Sequence, residues 1–434
     1  QQAAQSQSKE EGMASAIVRR LIDRIQWVIL SLFGMAAKVF TPKGIIEDRK
    51  TVIKLFRITG QASIARIRPV LLKLGEQNGI VWKEASNPHA VEKIDFVWET
   101  SVSLVWKDAH RAASVLNRLH NTHIFEDKGN MALLQKRMRC KTLESYIMLG
   151  KKAMQKWVQG RLSSKAHEKE WWIIKASAGN GGADIWVIHK GNAQETLAQI
   201  PEGGPAGGKE EEFVAQRYVE RPLLRGSGGL KFHLRTYQLL AVGGGGRLQP
   251  YFYEMAYILT AMRPYRLGAP SDDLRHISNM AVNKHEAGYP GQIPCRVPVE
   301  FPALWASMTE VWAELVRAAA PFLQVQANAR HFEFYGLDFL ADADGETAWL
   351  LEVNRLPGLQ ASAANKAAED QMYNKMIADL LELIGVSLPL EGTNLWQPTA
   401  QPEEKVEVNP KMTWKNTFNF KAFVKRAGQD IIFR

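Results

Sequence analysis

"FEFYGLDFLADADGETAWLLEVNRLP", residues Phe332 to Pro357, reads as two strongly apolar strands closed by a turn at Asp344-Gly345. Side chains alternate faces along a strand, so Glu352 and Asn354 share one face, and Asp338 lies in the facing strand. The apolar surroundings imply burial, and buried acids need partners. Two carboxylates and an amide oxygen on adjacent strands suit Mg²⁺, a hard cation that prefers oxygen and bridges nucleotide phosphates. A solvated strand face carrying ordinary acids is the competing reading, and the apolar context argues against it.

Outward from the hairpin, "GLKFHLRTYQLL" (Gly229 to Leu240) is also a strand by its aromatic and β-branched content. Lys231, His233 and Arg235 share one face, while Phe232, Leu234 and Thr236 take the other. Two cations flanking an imidazole repel each other unless something anionic lies over them. Lys175, in "WWIIKASAGNGGADI", ends an apolar strand just before a glycine-bearing loop, where backbone amides can approach phosphate. Alone that is a weak signal. With Lys231, Arg235 and the hairpin it outlines a polyphosphate site on antiparallel sheets, so the expected anion is a nucleoside triphosphate.

The chain has 434 residues, enough for two or three domains, with 46% hydrophobic and 23% charged residues as in ordinary globular proteins. A net charge of +10 favours acidic partners, namely nucleic acid, an acidic protein tail or an anionic membrane. Cys140 and Cys295 exclude a disulfide framework and a cysteine-rich zinc site and fit a reducing, intracellular setting; cytoplasm, cytoskeleton and mitochondrion stay open. No apolar run reaches the roughly 18 residues of a spanning helix. "WVILSLFGMAA" (Trp27 to Ala37) follows an amphipathic pattern of Val18, Leu21, Ile22 and Ile25 interleaved with Arg19, Arg20 and Arg24. Such a helix docks on a membrane or partner, or packs on its own domain. The chain starts at Gln1, which is compatible with a removed targeting segment.

Residues 1–90 are expected to form a helical extension, with "TVIKLFRI" and "ASIARIRPVLLKLGEQNG" read as helices. A strand is expected at Ile94 to Ser101, a loop leading to a helix near Lys128 to Met138, and a hairpin of "EWWIIKAS" with "DIWVIHK". Long helices are expected at Pro302 to Phe322 and before Gly385. Residues 386–434, basic and aromatic, read as a docking tail.

"WWIIKASAG", "FVAQRYVERPLL", "KFHLRTYQLL", "RHISN", "FEFYGLDFL" and "WLLEVNRLP" follow, in order, the motifs of the tubulin tyrosine ligase-like enzymes, which are ATP-grasp ligases. The chain resembles that family from about Asp95 to Ile384. The resemblance implies an α+β ATP-grasp fold, with antiparallel sheets enclosing a nucleotide site, a helical N-terminal extension and a basic C-terminal tail. Residues 91–165 would be the N-terminal or linker portion of the ligase-like module, and 166–385 its central and C-terminal domains. It implies ATP and Mg²⁺ as cofactors. Lys128 and Lys175 would contact phosphates, and Gln216, Arg217, Tyr218 and Val219 would form the hinge strand receiving adenine. Lys231 and Arg235 would face nucleotide and substrate, with His276 and Asn279 near the nucleotide. Asp338, Glu352 and Asn354 would hold Mg²⁺. In the family, ATP phosphorylates a carboxylate, and an amine attacks the acylphosphate to extend a protein tail; the enzyme neutralises charge and orients the reactants.

The chain departs from the family at particular residues. His233 stands where "KFD" has its aspartate, and an imidazole supplies no carboxylate. The family's glutamate and arginine of "EG…R" fall on Met255 and Leu259, with Arg263 four residues on as a candidate substitute. In the glycine-rich loop a basic residue becomes Gly181 and a glycine becomes Asp184. Two functional readings follow. In one, a catalytically degenerate Mg-ATP binder serves as a structural or assembly component, meeting an acidic partner (RNA, ribonucleoprotein or microtubule) through its basic surface, N-terminal helix and tail. In the other, an active ligase modifies acidic tubulin tails. An ATP-grasp enzyme for a small carboxylate is a third, weaker reading.

Overall fold

Alternation, not helical spacing, governs the first described element. Val52–Ile58 is a strand, β1, burying Phe56 and Ile58 on one face. Helix α1 (Gln61–Gln77) and strand β2 (Ile80–Glu84) follow, and β1 pairs with β2 in parallel. The helical expectation for "TVIKLFRI" is thereby corrected: its β-branched residues fit a half-buried pleat. Gly79, at φ 67, turns the chain from α1 into β2.

The computed structural model describes residues 52–85, 94–100, 113–177, 184–201, 212–242, 246–268, 270, 272–325, 330–388 and 393–399, with strands at 407–408 and 432–433. The basic amphipathic segment, "WVILSLFGMAA", the glycine loop 178–183 and tail residues 409–431 lie outside the described residues. Among the described residues no helix is long and apolar enough to cross a membrane.

Strands β3 (Phe96–Trp98) and β4 (Val115–Asn117) precede helix α2 (Lys128–Lys136), whose first turn is capped by Asp127 accepting from the Asn130 amide at 2.7 Å. Strand β4 falls within the expected loop; three residues are too few for periodicity to reveal. Strand β5 (Ser145–Leu149) and helix α3 (Gly150–Ser163) come next, then β6 (Trp172–Ala176), β7 (Ile185–Ile188), α4 (Ala193–Gln199) and β8 (Glu212–Arg217). After β9 (Leu224–Arg225) come the long β10 (Leu230–Val242), β11 (Leu248–Tyr253), β12 (Met255–Pro264) and β13 (Ile293–Arg296). Helix α5 (Pro302–Ala319), β14 (Gln324–Val325), β15 (Arg330–Ala341), β16 (Ala348–Asn354) and α6 (Lys366–Leu383) complete the body. Gly385, at φ 71, ends α6 as expected.

The larger sheet runs β13-β12-β10-β15-β4-β3-β1-β2, with β16 beside β15 and β11 and β9 beside β10. Its β10, β12, β15 and β16 portion is antiparallel, while β4, β3, β1 and β2 add a parallel edge. Alternation along β10 gives the sheet two cores. Phe232, Leu234 and Leu240 pack with Met308, Trp312 and Leu315 of α5 on one side. On the other, Tyr237 and Leu239 pack with Ile67 and Leu71 of α1 and with Tyr373 and Ile377 of α6. The smaller sheet contains β5-β8-β6-β7 and is covered by α3 through Met154 and Trp157.

Beyond residue 386 the chain returns to these sheets. Strands β17 (Trp396–Pro398), β18 (Glu407–Val408) and β19 (Ile432–Phe433) pair with β11, β14 and β5. These three short strands spend backbone hydrogen bonds within the chain.

Candidate functional site

The two sheets meet at an open cleft with about 750 Å³ of empty space, its solvent-filled mouth included. The smaller sheet contributes Lys175 from β6 and Gln216 from β8; the larger contributes Lys231 and His233 from β10, Asp338 from β15 and Glu352 from β16. Leu143, Ile173, Ile185 and Leu340 give an apolar wall suited to a flat ring.

The lysines are buried, and burial shapes their chemistry. Lys175 Nζ donates to Gln216 Oε1 at 2.9 Å and to the Leu351 carbonyl at 3.4 Å. Desolvation pulls its pKa down to about 8. Lys231 Nζ donates to Tyr218 Oη at 2.9 Å, and desolvation, with the Lys175 charge nearby, lowers it to about 7. Tyr218 Oη in turn lies 2.8 Å from His276 Nδ1, so Lys231 of β10, Tyr218 just after β8 and the "RHISN" segment form one polar chain. Lys128 opens on a smaller adjoining cavity that shares Lys175, Gln216 and Glu352 with the cleft; its Nζ donates to the Ser177 carbonyl at 3.3 Å. Desolvation lowers its pKa too.

The expected face of β10 is real. Arg235 lies directly across from Asp338, which lies across from Glu352, and the register shifts just after Asp338. Arg235 donates to both Asp338 oxygens, Nη2 to Oδ2 at 2.8 Å and Nε to Oδ1. Asn354 Nδ2 donates to Glu352 Oε1 at 3.2 Å. Desolvation, then the Asp338 charge, raises the Glu352 pKa. Among the described residues no group of three or more His, Cys, Asp or Glu is placed to hold a metal. Asp338, Glu352 and Asn354 offer two carboxylates and an amide. Those are hard oxygen donors, and their chemistry fits Mg²⁺.

His233 is buried, and desolvation with the Arg235 charge pushes its pKa down to about 3, so the imidazole is neutral. Its Nδ1 lies 2.6 Å from Ser278 Oγ, while Nε2 has no hydrogen-bond partner among the described residues and faces Asp338 Oδ1 at 3.8 Å. A ligand atom in the cleft would satisfy it. Ser278 is the contact that sequence reading missed, although it sits between His276 and Asn279 in the quoted motif.

The remaining expected site residues divide. Val219, Asn279 and Arg217 line the cleft, but Arg217 pairs with Glu220 at 2.9 Å, and Asn279 caps a turn of helix by accepting from the Ala281 amide at 2.8 Å. Leu259 is directly across from His233 and buried in the apolar core. Arg263, the candidate substitute, is half-exposed and pairs with Asp272 at 3.2 Å, outside the lining of the cleft. Asp184 takes φ 62, a left-handed conformation that favours glycine.

Two sheets of an α+β fold closing on a cleft, with lysines on both walls and acids on a hairpin, define an ATP-grasp protein. The Tubulin-tyrosine ligase family matches residues 107–293 and 297–394, more than half of the chain, and the chain belongs to that family. Over 286 residues it is 25% identical to the Tubulin monoglycylase TTLL3 of Homo sapiens, covering 55% of this chain and 36% of that protein. It is 29% identical over 197 residues to the Probable tubulin polyglutamylase TTLL9 of Bos taurus, covering 42% and 40%. It is 26% identical over 255 residues to the Tubulin monoglutamylase TTLL4 of Homo sapiens, covering 53% and 20%. The chain thus spans well under half the length of these relatives.

Proposed function

We propose that the cleft binds Mg-ATP and that ligation is weak or lost in this member of the family, which is kept for what it binds within a larger microtubule-based or ribonucleoprotein assembly. One observation carries the reading: on the strand face toward the nucleotide, neutral His233 lies across from Leu259. Lys128, Lys175 and Lys231 supply cations for phosphates, and Asp338, Glu352 and Asn354 supply oxygens for Mg²⁺. When bound, the metal neutralises phosphate charge. Lacking a guanidinium at Leu259 costs about 10³-fold or more in rate.

A second reading, an active ligase on acidic tubulin tails, is favoured by the retained lysines and hairpin donors, by the net charge of +10, and by the activities in the relatives' names. Incubation with Mg-ATP, tubulin and free tyrosine, glutamate or glycine separates the two. The first reading expects a raised melting temperature with Mg-ATP and no mass added to tubulin. An added-residue mass, abolished by Glu352→Gln, sinks it. Absence of any thermal shift with Mg-ATP sinks nucleotide binding itself.

A further inference from the structure

A second cavity, about 720 Å³ with its open mouth, adjoins the hairpin. Its walls are the first turn of α1, Trp98 at the end of β3 and Thr100 beyond it, Arg118 after β4, Phe334 of β15, and the stretch Arg355–Leu359 that follows β16. Helix α1 begins at Gly60 without a side-chain cap and without an acid in its first turn. Its leading amides and the positive end of its dipole are left for another acceptor. Gly60 is required there: at φ +82, a Cβ would sit 2.6 Å from Thr100 Cγ2.

The independent observation is Arg118. Its side chain is only 1% exposed, and its backbone takes φ 117, a conformation rare outside glycine that marks strain held by its surroundings. Its Nη1 donates to Glu333, but Nε and Nη2 are buried without a hydrogen-bond partner among the described residues. These two nitrogens form one edge of the planar guanidinium, a pair of parallel donors at the spacing of carboxylate oxygens. Among the described residues that line the cavity there is no Asp or Glu to occupy that edge. Glu333 is committed to Arg118 Nη1 and the Leu119 amide, and Glu126 to Arg355.

We propose that this cavity binds a small carboxylate with an apolar or aromatic body. The carboxylate lies on the Nε and Nη2 edge of Arg118 and at the start of α1, and the body lies against Trp98 and Phe334. A carboxylate is favoured over phosphate because the described lining offers one two-donor edge beside aromatic rings and no lysine. The proposal goes beyond nucleotide binding and does not depend on it.

The test titrates the full chain, with nucleotide absent, against benzoate, benzamide and inorganic phosphate by calorimetry and ligand-observed NMR. A chain that binds no ATP still returns an answer. Benzoate is expected to bind at least tenfold more tightly than benzamide, as loss of a charged hydrogen-bonded pair costs about 10–100-fold. Ala62→Asp places a carboxylate in the first turn of α1, where it favours the helix, and is expected to abolish benzoate binding without loss of melting temperature. Arg118→Lys keeps a cation for Glu333 and is expected to weaken benzoate about tenfold or more. No binding at millimolar benzoate, equal binding of benzamide, or unchanged binding to folded Ala62→Asp overturns the proposal. Phosphate displacing benzoate with equal strength overturns the carboxylate assignment.

Discussion

Arg235 and Asp338 stand directly across from each other on β10 and β15, and the guanidinium holds both carboxylate oxygens. The pair binds the strand that carries the cations to the hairpin that carries the acids. Removing one partner leaves the other charge uncompensated. Arg235→Leu is therefore expected to lose about 3–5 kcal/mol in urea unfolding, and the double variant Arg235→Leu/Asp338→Leu less than the sum. Additive losses would show that the two side chains do not act as a unit.

Gly336 lies beneath this pair. A Cβ there would come within 2.8 Å of Pro357 Cβ and 3.3 Å of Arg235 Cδ. Gly336→Ala is expected to cost about 1–3 kcal/mol by overpacking and to weaken nucleotide binding by shifting Arg235. Thermal unfolding and nucleotide titration on the same variant check both; unchanged values on both would contradict the packing.

Burial lowers Lys231 to about 7 and Lys175 to about 8. Both values lie below the unfolded-chain value near 10.4. Between roughly pH 7 and 10.4 the unfolded chain binds more protons than the folded one, so stability is expected to rise with pH across that window. Nucleotide phosphates favour the charged lysines, so Mg-ATP affinity is expected to fall over the same range, with proton uptake on binding. Calorimetry in buffers of different ionisation enthalpy measures the uptake. Lys231→Met is expected to reduce it, and an unchanged uptake would remove Lys231 from the account.

His233→Asp restores a carboxylate between Lys231 and Arg235. Combined with Leu259→Arg, it is expected to raise any tubulin-modifying activity above that of the unaltered chain, at a stability cost from charging a buried position. Mass spectrometry of tubulin tails, read beside the melting temperature, decides. A folded double variant without gain would remove these two positions from the account of activity.

Trp396 joins the tail to the core. Its ring lies 5.0 Å from that of Tyr253, and its Nε1 donates to the Met376 carbonyl at 3.2 Å. Trp396→Ala is expected to cost about 3–5 kcal/mol by chemical denaturation, a loss that a mere docking segment would not produce.

Much of this protein was already determined by local chemistry in the chain. The alternation in "KFHLRTYQLL" assigned Lys231, His233 and Arg235 to one face because side chains on a pleated strand leave no other choice. The apolar strands around Asp338 and Glu352 implied their burial, and Asp344-Gly345 specified the turn between them. Tertiary structure decided what local patterns do not encode. "TVIKLFRI" became a strand because β2 and β3 were there to pair with it. The tail acquired strands because sheet edges accepted its backbone. Ser278 met His233, and Arg118 kept two donors unpaired among the described residues, through contacts between segments distant in sequence. A one-dimensional pattern reports which face a side chain takes; only the folded packing determines what that face meets.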